Sequence, residues 1–281
     1  MTLKQALSRA RRILTANNIE DASLECELLL RHALEISRVQ LYLNLDQELS
    51  PKEGKVFWHL IKRRINHEPT AYIIEHREFY GFDFYVDPSV LIPRPESELL
   101  VEKTLELAQN HPVSTLADVG TGCGAIAISL ALNLPQAKIY ATDISASALE
   151  VAAINCQKHG VVNRICLLQG NILEPLSEPV ELIVANLPYI KDSEMKELSP
   201  EIQMSEPRLA LAGGDDGLDK IGQLLSQAID KVRPGGSILL ELGVGQAPQA
   251  VSLAKGYFPS ANVELLLDAI GINRILKISR Q

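Results

Sequence analysis

The chain has 281 residues, 46% of them hydrophobic, which is long for one domain and comfortable for two. No apolar stretch approaches the roughly 20 residues that cross a bilayer, and the opening Met1-Thr2-Leu3-Lys4-Gln5 lacks the layout of a signal peptide, so a cytoplasmic protein away from membranes is expected. Of the net charge of -8, residues 1–77 carry +2 (12 Lys and Arg against 10 Asp and Glu) and the other 204 residues carry -10 (15 against 25), a balance that argues against wrapping a nucleic acid and favours a protein substrate.

In chain order, the first 77 residues read as helices alone. Leu3, Leu7, Ala10 and Leu14 repeat at helical spacing; Leu24, Leu28 and Leu29 begin a second helix capped by Asp21 or Ser23; Pro51 opens a third with Phe57, Leu60, Ile61 and Ile65 on one face. These form a small bundle over residues 1–77. Its basic positions Arg9, Arg11 and Arg12, or Arg63 and Arg64, would suit docking of an acidic partner. Residues 78–92 turn aromatic and β-branched around Tyr80-Gly81 and Asp87-Pro88, the pattern of a β-hairpin linking two domains.

From residue 93 to 281, after a helix carrying Leu99, Leu100, Val101 and Leu105, short apolar strands alternate with helices. Strands are expected at Thr115–Val119, Ile139–Thr142, Ile165–Leu168, Leu182–Ala185 and Ser237–Leu242, with helices such as 146–159 and 218–232 between them. Such alternation predicts a parallel, doubly wound α/β sheet. Two further strands, Val263–Leu267 and Arg274–Ile278, are separated by only six residues around Gly271, too few for a crossover helix, so they form an antiparallel hairpin at the end of a seven-stranded sheet. Cys26, Cys123, Cys156 and Cys166 make no C-x-x-C pair and lie in apolar or glycine-rich segments; they are expected to be buried free thiols, with no metal site.

The turn Gly120-Thr121-Gly122-Cys123-Gly124 joins the first strand to a helix beginning near Ala125. Glycines there allow a tight turn and close approach of a ligand to main-chain N–H groups. Gly120, Gly122 and Ala125 also satisfy the G-x-G-x-x-G/A dinucleotide pattern, so the turn by itself does not choose between NAD and S-adenosylmethionine. Asp143, 19 residues beyond Gly124 at the end of the second strand, is placed to bind both ribose hydroxyls of an adenosine; helix capping is its alternative role. Asn171, after the third strand, could read the adenine edge with Ile172 packed on the ring, or simply form a turn after Gly170.

Asn186-Leu187-Pro188-Tyr189, directly after the fourth strand, separates the two cofactors, because no His or Arg suited to a nicotinamide follows that strand. The Asn186 side-chain oxygen and the Leu187 carbonyl are two acceptors able to hold one planar NH2 group, Pro188 keeps the preceding residue extended, and Tyr189 can stack on the amide plane. A carboxamide nitrogen is a poor nucleophile, so its methylation needs a strong donor and firm positioning. S-adenosylmethionine is therefore the expected cofactor.

With these motifs in place, the chain resembles the HemK-type release-factor glutamine methyltransferases over nearly its whole length. The resemblance rests on Ile92-Pro93-Arg94-Pro95-Glu96-Ser97-Glu98, the turn Gly120 to Gly124, Asn186 to Tyr189, Glu206-Pro207-Arg208-Leu209-Ala210-Leu211 and Gly213-Gly214-Asp215-Asp216-Gly217-Leu218-Asp219, in that family's order. It implies a Rossmann-like class I methyltransferase domain, a helical domain that grips the substrate, and N5-methylation of the Gln in the Gly-Gly-Gln loop of class 1 peptide-chain release factors. A monomer is expected. Leu187 stands where the family has proline, Asn171 where it commonly has aspartate, Ser97 for threonine and Glu75 for glycine. A glutamine methyltransferase acting on a ribosomal protein fits the same site, whereas a sensor that binds S-adenosylmethionine without catalysis would not need Asn186. An adenine N6 DNA methyltransferase shares the four-residue motif, but the 92 residues after Tyr189 are consumed by predicted strands and helices, leaving no target-recognition domain.

Overall fold

Three helices near the start of the chain open on the same device. Thr2 with Gln5, Ser37 with Gln40 and Ser50 with Glu53 each form a reciprocal capping box that satisfies two N–H groups at the helix start. They begin α1 (Leu3–Ala16), α3 (Arg38–Leu43) and α4 (Pro51–Ile65, with Pro51 in the first turn); α2 (Ala22–Leu34) and the short α5 (Thr70–Ile73) complete the set. The computed structural model describes residues 1–281 and resolves into two units, Met1–His76 with Ser199–Ser205, and Arg77–Leu198 with Glu206–Gln281.

The first unit packs Leu3, Ala6, Ala10 and Leu14 of α1 with Cys26, Leu29 and Leu30 of α2, Leu41 of α3 and Phe57, Leu60 and Ile61 of α4. The inward face of α2 differs from the expected one: Leu24 is exposed, and Asp21 occupies the cap position in left-handed backbone without a side-chain cap bond. The expectation of a basic docking face at Arg63 and Arg64 is corrected. Arg64 is buried, paired with Glu25 at 3.0 Å and with Glu201 at 2.7 Å, while Arg63 pairs with Glu68. A buried guanidinium whose charge is already met by two carboxylates inside the unit presents no open charge to a partner. Glu201 lies on α9 (Pro200–Ser205), so a segment expected with the catalytic half groups with the helices.

The second unit begins with the hairpin β1 (Arg77–Phe79) and β2 (Phe82–Phe84), closed by Tyr80 and Gly81, both at positive φ as a two-residue hairpin turn of the primed type demands. There follow α6 (Glu98–Asn110), β3 (Thr115–Val119), α7 (Ala125–Asn133), β4 (Lys138–Asp143), α8 (Ala146–Lys158), β5 (Ile165–Gln169), β6 (Val180–Ala185), β7 (Ile190–Lys191), β8 (Ala212–Gly214), α10 (Asp219–Lys231), β9 (Val232–Glu241), α11 (Ala247–Tyr257), β10 (Asn262–Leu267) and β11 (Asn273–Ser279).

Seven strands form one sheet in the order β10-β11-β9-β6-β3-β4-β5; β11 alone runs antiparallel to its neighbours. From central β3 the chain winds first through β4 to β5 and then returns to the other side through β6 and β9. The order therefore reverses at β3, which opens a crevice at the carboxyl ends of the strands. The glycine turn, Asp143, Asn186 and Glu241 all stand at those ends. β7 and β8 pair as a separate parallel ladder beyond the rim. The cysteines are free, with Cys26, Cys123 and Cys156 buried and Cys166 half-buried instead of buried.

Asn155, fully buried on α8, ties the segment after the hairpin to the glycine turn. Its Oδ1 accepts the Tyr85 N–H at 2.8 Å, and its Nδ2 donates to the Tyr85 and Cys123 carbonyls, both at 2.9 Å. Asn155→Ala would leave three buried or half-buried backbone groups without this partner, so a loss of about 2–4 kcal/mol is expected. Urea unfolding of the variant checks this; a change confined to a few tenths of a kcal/mol, the usual range for a surface substitution, would contradict the tie.

Candidate active site

Asp118, near the end of β3, organises the glycine turn from below. Its Oδ2 accepts the Thr121 hydroxyl at 2.6 Å and the Ala127 N–H at 3.1 Å, joining strand, turn and helix. Burial pushes this carboxyl up to about 7. Above it, Gly120, Gly122 and Gly124 all have positive φ. A Cβ on Gly120 would stand 3.3 Å from the Leu187 side chain, and one on Gly124 would meet Ile128 at 3.0 Å and Ala152 at 3.4 Å. Glycine is thus required both for the backbone conformation and for the approach of neighbouring segments.

Asp143 closes the turn from β4. Its Oδ2 accepts the Gly122 N–H and its Oδ1 the Ser145 N–H, both at 2.9 Å, and burial raises its pKa. Ser145 itself caps α8 by accepting from Ala148, so the capping role belongs to Ser145. Each carboxylate oxygen of Asp143 retains a lone pair for a ligand hydroxyl. Ile172 stands at φ +56°, a costly conformation for a β-branched residue, and its carbonyl accepts the Thr142 hydroxyl at 2.7 Å. Asn171 donates from Nδ2 to Glu174 at 3.0 Å.

One cleft gathers Gly120, Gly122, Asp143, Asn171, Ile172, Asn186, Leu187 and Pro188 on its wall. Thr121, Cys123 and Gly124 lie behind it: Thr121 serves Asp118, the buried Cys123 offers its carbonyl to Asn155, and Gly124 packs on α7 and α8. Burial pushes the Cys123 thiol up to about 12. A glycine turn without Cβ obstruction, a carboxylate at the end of β4 and the apolar Ile172 together fit an adenosine carrying a charged tail, the shape of S-adenosylmethionine.

Asn186 follows β6 directly. Its Nδ2 donates to the Ser97 hydroxyl at 2.8 Å, which turns Oδ1 the other way. The Leu187 carbonyl accepts none of the backbone or side-chain hydrogen bonds of the chain, while the Leu187 side chain is buried against Gly120. Two acceptors therefore remain open on consecutive residues. Tyr189 is fixed through its backbone: its carbonyl accepts from Gln246 Nε2 at 2.9 Å, and the same nitrogen donates to the Gly217 carbonyl at 3.1 Å. A Cβ on Gly213 would lie 2.7 Å from the Tyr189 Cα, and one on Gly243 would lie 2.9 Å from its ring. The Gly213 to Asp219 motif is thus a cradle for residues 188 and 189. Arg94, at 2.5 Å from the buried Glu206, joins the Pro-Arg-Pro segment to the Glu-Pro-Arg segment, whose Pro207, Leu209 and Ala210 line the cleft.

Sequence reasoning missed the supporting roles of Ser97, Gln246 and Gly243. Ser97 lay within a recognised motif but carried no role; Gln246 follows a glycine-rich stretch with no local signal for what it holds.

Residues 5–74 match the PrmC N-terminal domain family, and residues 95–214 match the methyltransferase small domain family. Among relatives, the release factor glutamine methyltransferase of Moorella thermoacetica is 44% identical over 98% of this chain and 97% of its own length. That of Geobacter sulfurreducens is 41% identical over 90% of this chain and 88% of its own. Two solved structures share the fold. The ribosomal protein L11 methylase of Lactobacillus delbrueckii subsp. bulgaricus has a TM-score of 0.51 and 24% identity, covering 70% of this chain and 84% of that one. The T. thermophilus 16S rRNA N2 G1207 methyltransferase, in complex with AdoMet and guanosine, has a TM-score of 0.53 and 17% identity, covering 73% of this chain and 50% of that one. Matched in both halves and similar to such relatives from end to end, the chain belongs to the release factor glutamine methyltransferases.

Proposed function

We propose that this methyltransferase transfers a methyl group from S-adenosylmethionine to the side-chain amide nitrogen (N5) of the Gln in the Gly-Gly-Gln loop of class 1 peptide-chain release factors. The observation that carries this reading is the open acceptor pair, Asn186 Oδ1 and the Leu187 carbonyl, on the wall of the cleft that holds Asp143 and the glycine turn.

When bound, S-adenosylmethionine supplies an electrophilic methyl carbon on a sulfonium leaving group. The protein's part is to bind and to aim. Asp143, itself fixed by the Gly122 N–H, holds the nucleoside against the glycine turn, and Ile172 walls the base. The two acceptors take the two hydrogens of a planar amide, which fixes the direction of the nitrogen lone pair. They also favour the positive charge that gathers on nitrogen as the bond forms, an interaction stronger in the transition state than before it. No side-chain base is needed before transfer, because the N–H becomes acidic only after alkylation. Tyr189, half-buried and with its phenol pKa raised by burial first and the Glu241 charge second, stays neutral and offers its ring to the amide plane. The helical unit is the docking element for the protein substrate, through exposed Arg9, Arg11 and Arg12. The enzyme acts in the cytoplasm as a monomer; no helix is long and apolar enough to cross a membrane.

Labelled S-adenosylmethionine incubated with purified release factor should mark the wild-type factor and not one whose loop Gln is replaced. Equal label on both would overturn the substrate. For Asn186→Ala, kcat should fall by roughly 10²–10³ with cofactor affinity largely kept, as for loss of a direct transition-state partner; calorimetry and steady-state rates separate the two. Asp143→Ala should do the reverse, weakening cofactor binding at least about tenfold, the cost of one charge-assisted hydrogen bond. Unchanged affinity in that variant would remove Asp143 from the ribose site.

A further inference from the structure

Glu241 ends β9, and the parallel register of β9 against β6 puts Leu240 beside Ala185. The next residues outward on the two strands are Glu241 and Asn186, neighbours at the rim of the sheet. Ser97, at the turn before α6, lies between them. It accepts from Asn186 Nδ2 at 2.8 Å, and it is near enough to the Glu241 carboxylate to lower that group's pKa. A serine hydroxyl has one proton. With its oxygen accepting from Asn186, that proton is free to turn toward Glu241, the direction a one-way chain from amide to hydroxyl to carboxylate would need.

The carboxylate is out of place by any structural criterion. Glu241 is 2% exposed, and its Oε2 has no hydrogen-bond partner. Arg274, on neighbouring β11, lowers its pKa through charge, but the guanidinium hydrogen bonds go to Asp268 and the Leu242 carbonyl. Glu96 acts in the opposite sense, and Tyr189 senses the Glu241 charge. An apolar residue of the same volume would be easier to bury here.

We propose that Glu241 is a positioning residue for methyl transfer, acting through Ser97 to hold the Asn186 amide with Oδ1 facing the target nitrogen and to polarise that oxygen. Linked hydrogen bonds strengthen one another in a dry site, so a negative end makes the far acceptor better at stabilising the cationic nitrogen. This rests on the reading of Asn186 as holder of the target amide. The ionised carboxylate is the working form. Burial lifts its pKa to about 7, so protonation on the acid side of neutrality turns Glu241 from acceptor into donor toward Ser97 and weakens the chain. Transfer is then lost as pH falls through that range.

The direct test is the side-chain 1H–15N resonance of Asn186, followed across neutral pH in the protein bound to S-adenosylhomocysteine. It should titrate in the wild type, stay flat in Glu241→Gln and Ser97→Ala, and titrate again in Ser97→Thr, which restores the hydroxyl. Glu241→Gln keeps the size and hydrogen-bonding capacity but not the charge. It should lower kcat by about tenfold, less than loss of a direct partner, with KM values little changed and the acid limb of the kcat profile abolished. A wild-type resonance that does not titrate, a titration that survives in Glu241→Gln, or a kcat and pH profile unaltered by that substitution would each overturn the proposal. If Asn186 responds to Glu241 as expected but no label reaches the release factor, the linkage stands and the substrate reading falls.

Discussion

The orientation of one carboxamide governs this active site. Asn186 could present either end of its amide to the cleft, and the two ends do opposite things: an oxygen outward accepts from a target NH2, a nitrogen outward would repel it. The hydrogen bond from Nδ2 to Ser97 settles the choice. Much of the surrounding architecture serves to keep that bond and the adjacent backbone in place.

The sheet does so through topology. Because the winding reverses at β3, the turn after β3, the end of β4 and the loop after β6 converge on one crevice, although they are far apart in sequence. Loops alone would not hold such a geometry, since each orders only at an entropic cost. Here each is tied to a rigid element: the glycine turn to β3 and α7 through Asp118, the turn to α8 through Asn155, and Tyr189 to Gly217 and Gly243 through Gln246. Bonds of this kind, each worth about 1 kcal/mol net, matter less for their sum than for the single conformation they select.

The site also shows why its glycines cannot be judged one at a time. Gly120 admits Leu187, Gly213 admits the backbone of residues 188 and 189, and Gly243 admits the Tyr189 ring. Three chain segments meet at van der Waals distance around the acceptor pair, so any added Cβ would displace the atoms that do the chemistry. Leu187 in place of the proline expected from the resemblance is accommodated because its side chain finds an apolar seat against Gly120, while the role itself needs only the carbonyl.

What was readable in advance follows the range of the physics involved. Alternating apolar strands and helices, the glycine turn, the acidic residue ending β4 and the antiparallel β10–β11 pair were all visible, because each is set by a local run of residues: Thr115–Val119 could scarcely be anything but a buried strand. The Asn186 to Tyr189 motif carried its chemistry on four consecutive residues, so its acceptors could be named before their surroundings were seen. The short helices α3 and α5, the small β7–β8 ladder, and the inward face of α2 were not visible, since their few residues yield no decisive period. Still less could local pattern show that Arg64 is occupied by Glu25 and Glu201, that Gln246 grips Tyr189, or that Ser97 and Glu241 stand behind Asn186. Arg64 and Glu201 alone stand 137 positions apart. The sequence by itself determined the elements and the chemistry that each could perform; only the tertiary structure decided which distant side chains meet, because hydrogen bonds and ion pairs act over a few ångströms of space and are indifferent to distance along the chain.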